Sequence, residues 1–97
     1  MYGTIMQMKV KPGEEENLFN LLKQWENGEK NTVDGVVATY FMTPDKRQGE
    51  MIGVAVFRDK AAYMANADKP EQHERYMKVR ELLLDDPEWT DGEYLAL

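Results

Sequence analysis

His73 is the single histidine in the chain. Its side chain is the one type here that changes charge near neutral pH without special tuning, which is what a general base requires. Gln72 and Tyr76 are four residues apart, so on a helix they share one stripe, with His73 beside it. A histidine so placed would take a proton from a phenol or an enolisable ring. The competing reading is a half-exposed helix histidine paired with Glu74 or water. Tyr40, Gln72 and Tyr76 would offer hydrogen bonds to a polar group on a ligand; for Tyr76 the alternative is a packed core tyrosine with its hydroxyl satisfied. Met6, Met8, Met42, Met51 and Met77 supply flexible apolar surface that suits flat molecules, and equally an irregular core.

Other chemistries lack their residues. With no cysteine in the sequence there is no thiolate nucleophile, disulfide or thiolate-bound metal. One histidine makes a zinc site improbable, and no glycine-rich phosphate loop follows a strand. Eighteen acidic against twelve basic residues give a net charge of −6, which disfavours nucleic acid and anionic membranes as partners. No leader and no apolar run near the roughly 20 residues of a membrane span is evident, so a cytoplasmic protein is expected.

The elements that must position these residues follow from periodicity and punctuation. Tyr2 to Lys11 alternates as a strand, with Tyr2, Thr4, Met6, Met8 and Val10 on the core face. Pro12-Gly13 breaks it. A helix then runs from Glu14 to Asn27, its stripe formed by Leu18, Leu21, Leu22 and Trp25, with Gly28 as a left-handed cap. The three glutamates of its first turn read as helix-start charges. Strands follow at Val36–Met42 and Met51–Phe57, joined by a hairpin loop over 43–50. A short helix spans Ala61–Ala67. A longer one runs from Lys69 to Asp85, capped by Asp68 and carrying Tyr76, Val79 and Leu83 on its stripe. The last strand is Trp89–Leu95. Trp25 and Trp89 read as core or interface anchors, and the Asp85-Asp86 pair opposes the helix dipole without evident reason.

The order βαββαβ in 97 residues indicates one α+β domain over 1–97. Its fold would be ferredoxin-like, a four-stranded antiparallel sheet with helices on one face. The second and third strands are apolar on both faces. A sheet with helices on one side should be polar on the other, so a second copy of the same sheet is expected to cover it in a homodimer.

Several phrases of the sequence are similar to a known family. Val10-Lys11-Pro12-Gly13-Glu14-Glu15 resembles the strand-to-helix junction of the antibiotic biosynthesis monooxygenase (ABM) family, within the dimeric α/β-barrel superfamily. Val56-Phe57-Arg58-Asp59-Lys60-Ala61-Ala62-Tyr63 resembles that family's strand followed by a short helix with an aromatic. Ala67 to Gln72 and Asp86 to Glu93 are similar to small bacterial members. The resemblance implies a dimer whose two sheets form a barrel, and a pocket between sheet and helices in each subunit. Some members oxygenate aromatic polyketides without metal or flavin, and others bind and degrade haem. In haem-degrading members an asparagine, a tryptophan and a histidine do that work. Here Met6 stands in the asparagine place and Asn66 in the tryptophan place, and His73 lies a few residues early.

The expectation is therefore an ABM-like, cofactor-independent monooxygenase-type protein with His73 as base. Met6, Tyr40, Asn66, Gln72 and Tyr76 would contact a small apolar or aromatic ligand. The alternatives are a non-catalytic homodimer that binds a small molecule, and a haem-handling enzyme.

Overall fold

A computed structural model describes all 97 residues. Four strands, β1 (Tyr2–Lys9), β2 (Val36–Met42), β3 (Glu50–Phe57) and β4 (Glu88–Glu93), form one sheet in the order β2-β3-β1-β4. Every neighbouring pair is antiparallel. The helices are α1 (Glu15–Asn27), α2 (Lys60–Ala67) and α3 (Pro70–Arg80). This is the ferredoxin-like α+β arrangement that the element order indicates. No helix is long and apolar enough to cross a membrane.

The hinge between β1 and α1 has a local cause. Pro12 cannot donate to the sheet and Gly13 takes φ 84°, a left-handed conformation costly for other residues. Gly28 is not the left-handed cap expected. Its φ is −144°, and the chain passes directly into a 3-10 turn over Glu29–Thr32. At α2 the cap is Asp59, whose carboxylate accepts from the Ala62 backbone N–H at 2.8 Å.

The helix expected to run from Lys69 to Asp85 is shorter. Asp68 belongs to the end of α2, Lys69 precedes α3 with no side-chain cap, and α3 stops at Arg80. Beyond it the chain returns to the sheet. Leu84 N–H donates to the Lys9 carbonyl and Lys11 N–H to the Leu82 carbonyl, both at 2.9 Å. That pairing turns Leu83 into the core, opposite Val10. Asp86 gains a reason here, since its carboxylate accepts from Arg80 Nε at 2.7 Å.

The dry core occupies one end of the sheet–helix layer. Met8, Val10, Leu18, Leu22, Met51 and Leu83 pack together, and Met8, Leu18 and Leu83 are fully buried. The other end is left more open, and that is where the polar candidates gather.

Candidate functional site

The space between the sheet and the C-terminal half of α1, α2 and α3 encloses a cavity of about 660 Å³, within the usual range of small-molecule sites. Its floor is the helix-facing side of the sheet: Thr4 and Met6 of β1, Thr39 and Phe41 of β2, and Gly53 of β3. Gly53 matters because a Cβ there would stand 3.0 Å from the Phe41 ring, so its absence leaves room for that ring. The walls are aromatic. Trp25 comes from the α1 stripe, and Tyr76 of α3 meets Trp89 of β4 with ring centroids 5.9 Å apart.

The polar side of the cavity is a connected set on α2 and α3. Gln72 Oε1 accepts from Asn66 Nδ2 at 3.3 Å, from Arg75 Nε at 3.3 Å and from Arg75 Nη2 at 3.0 Å. The chemistry fixes every orientation in this chain. A guanidinium only donates, so the Gln72 amide must turn its oxygen to Arg75. Asn66 must then present its NH₂ to that same oxygen. Its own carbonyl oxygen is left buried with no hydrogen-bond partner, in a side chain only 8% exposed. Such a group costs about 1–3 kcal/mol relative to a satisfied one. The Arg75 guanidinium also stacks on Trp25, 4.9 Å from the ring centroid, a favourable cation–π contact.

Two hydroxyls lining the cavity, those of Thr39 and Tyr63, are already committed. Thr39 donates to Glu26, which is also held by Lys30 Nζ at 2.7 Å. Burial alone would raise the Glu26 pKa. The bonds from Lys30 and Thr39, with the Lys30 charge, outweigh it and lower the value. Tyr63 donates to Asp91 at 3.0 Å, and its pKa is pushed up to about 12, by burial first and then by Asp91. Tyr63 is thus a neutral donor, not a base.

The cavity brings together Met6, Asn66, Gln72, His73 and Tyr76, five of the six residues that the sequence nominated. His73 is exposed and stands at the rim. Tyr40 is a correction. It pairs with Val54, while Thr39 and Phe41 pair with Ala55 and Gly53 on the cavity face. Tyr40 therefore points to the opposite side of the sheet, where it is 69% exposed. The sequence Val36-Val37-Ala38-Thr39-Tyr40-Phe41-Met42 is apolar on both phases, and a register shift between Val36 and Ala38 resets the alternation. Trp25 and Trp89, expected as core or interface anchors, are not among the buried core residues and line the cavity. Arg75 was missed altogether. The signal was present: Gln72, Arg75, Tyr76 and Val79 follow i, i+3, i+4, i+7 on one face of α3.

Residues 1–79 match the model of the family described as antibiotic biosynthesis monooxygenase. The chain belongs to that family. Solved structures agree on the fold. Rv0793 from Mycobacterium tuberculosis superposes with a TM-score of 0.81 at 19% identity, covering 99% of this chain and 96% of that one. A mutant of SnoaB, a cofactor-independent oxygenase from Streptomyces nogalater, gives 0.83 at 11% identity, covering 99% and 94%. A conserved protein from Methanosarcina mazei Go1 gives 0.83 at 14% identity, covering 94% and 89%. At these identities the likeness carries the fold of this ABM family member and not its substrate. Curated proteins provide no sequence match.

Proposed function

We propose that this ABM family member is a cofactor-independent monooxygenase for a small, flat aromatic molecule bound between sheet and helices. The observation that carries the reading is the cavity itself: aromatic walls from Trp25, Phe41, Tyr76 and Trp89, with a connected polar set of Asn66, Gln72 and Arg75 on the α2–α3 side. Rings would stack on the walls, and the ligand's polar substituent would meet the α2–α3 set. Asn66 adds to this: an unsatisfied buried acceptor bordering a cavity suits a ligand hydroxyl, once a small shift opens it.

In the proposed reaction His73, at the rim, removes a proton from an enolisable ring carbon or phenol. The electron-rich anion reduces dioxygen, and carbon and oxygen then combine. For a ring methylene the balance closes without an external reductant. One oxygen atom becomes the ring carbonyl, and the other leaves as water with the two hydrogens. Proximity and orientation in the cavity are what the protein adds. The working unit is proposed to be a homodimer, with the outer sheet faces of two copies packed together.

Anthrones, naphthols and hydroquinones, supplied with oxygen and no added metal or flavin, form the test panel. We expect quenching of Trp25 and Trp89 fluorescence on binding, with oxygen uptake for at least one compound and a large loss of uptake in His73→Ala. Binding without uptake across the panel would favour a non-catalytic binding protein. Unchanged uptake in His73→Ala would remove His73 as the base.

A further inference from the structure

We infer that Arg75 makes the cavity selective for aromatic molecules bound through an anionic oxygen, an ionised phenol or enol, and that it holds that anion in place. The inference rests on the reading of the cavity as a site for aromatic ligands.

Three observations carry it. First, the Arg75 side chain is only 18% exposed, yet its nearest carboxylate is Glu29 at 3.9 Å, too far for a hydrogen bond and itself about half exposed. A cation largely withdrawn from water with so weak a counter-charge is under-compensated. Second, a guanidinium has five N–H donors, and two of them go to Gln72. The remaining three have no protein acceptor. Third, the group is rigidly held. Trp25 supports one face and Gln72 fixes the edge, so little entropy remains to be lost on binding an anion. Arg75 lines the same cavity as Trp25, Phe41, Tyr76 and Trp89, so an oxygen bonded to it there would belong to a ring stacked on those walls.

The other titratable groups along the cavity are Glu29, Tyr63, His73, Tyr76, Lys78 and Asp91. Glu29 and Asp91 repel an anion. Lys78 and His73 are exposed at the rim, where water screens them. Arg75 is the one cation held inside. An anion paired with it would be the electron-rich form that gives up an electron to oxygen, so the same contact that selects the ligand also readies it for reaction.

A chromogenic phenol tests this directly, because its anion absorbs at longer wavelength than the neutral form. We would titrate 4-nitrophenol and its non-ionisable methyl ether, 4-nitroanisole, into the wild-type protein, Arg75→Met, Arg75→Lys and Lys78→Gln. The methionine keeps an apolar stem against Trp25 and removes the charge. At a pH below the pKa of free 4-nitrophenol, the wild type should raise the anion band on binding. Arg75→Met should abolish that rise and weaken phenol binding roughly 10- to 100-fold, while 4-nitroanisole binds both proteins alike. Arg75→Lys should restore part of the band, and Lys78→Gln should leave it unchanged. A phenol that binds the wild type in its neutral form, or an anion band that survives in Arg75→Met, would overturn the inference while leaving the cavity as an aromatic site. Failure of both probes to bind would overturn the aromatic reading and this inference together.

Discussion

Two side chains, Asn66 and Tyr63, are held in unusual surroundings at the cavity. Asn66 keeps a buried carbonyl oxygen without a partner because Arg75, through Gln72, dictates which way its amide faces. A protein selected only for stability would place an apolar side chain there. We therefore expect Asn66→Leu to leave the thermal midpoint unchanged or higher while weakening binding of hydroxylated aromatics, measured by calorimetric unfolding and fluorescence titration. Tyr63 offers a test of local electrostatics. Its folded-state pKa is about 12 against an ordinary 10, so the folded form holds the phenolic proton more firmly. The sign follows: this stabilisation is complete below pH 10 and is lost as pH rises from 10 to about 12. In a spectrophotometric titration Tyr63→Phe should delete a late-ionising tyrosine. It should also flatten the fall of stability over that same pH window.

Among the elements, β1 and α1 were legible almost to the residue, because a single clean period governs each. The last third of the chain was harder. The helical stripe of Tyr76, Val79 and Leu83 reads as one helix to Asp85, yet the segment after Arg80 leaves the helix to bond with the end of β1. Leu83 fits either pattern, and only the tertiary pairing decides. Its weight is testable: it is fully buried opposite Val10, so Leu83→Ala should cost about 2–5 kcal/mol in denaturant unfolding. Strand β2 has the expected bounds, Val36–Met42, but the side Tyr40 takes was not legible, since its alternation carries no polar marker and a register shift chooses the face. That one shift sends Tyr40 away from the cavity and brings Thr39 and Phe41 to it. Arg75 escaped notice because a charged residue on an otherwise apolar stripe looks like solvent-facing helix until its stacking on Trp25 is seen.

For the molecule as a whole, one face of the sheet stays without helices. Ile5, Tyr40 and Met42 on that face are exposed, with Tyr40 at 69% and Met42 at 53%, and Ile52 and Val54 lie between them. Apolar side chains so grouped favour burial against a partner, and the proposed homodimer through these faces accounts for them. Sedimentation at micromolar concentration should give twice the mass of the chain, and Tyr40→Glu with Met42→Glu should give the monomer. A wild-type monomer would leave the outer face without a cover. In the proposed dimer the two faces divide the work, one for assembly and the other enclosing the cavity.

In the proposed reaction dioxygen is split between substrate and water inside that cavity. The most direct measurement is turnover of an anthrone-type substrate under ¹⁸O₂ with chelator present and no added flavin, followed by mass analysis of product and water. One labelled oxygen is expected in the new carbonyl and the other in water, with one dioxygen consumed per product and the yield lost in His73→Ala. Label absent from the carbonyl, or a product yield no greater than that without protein, would contradict it.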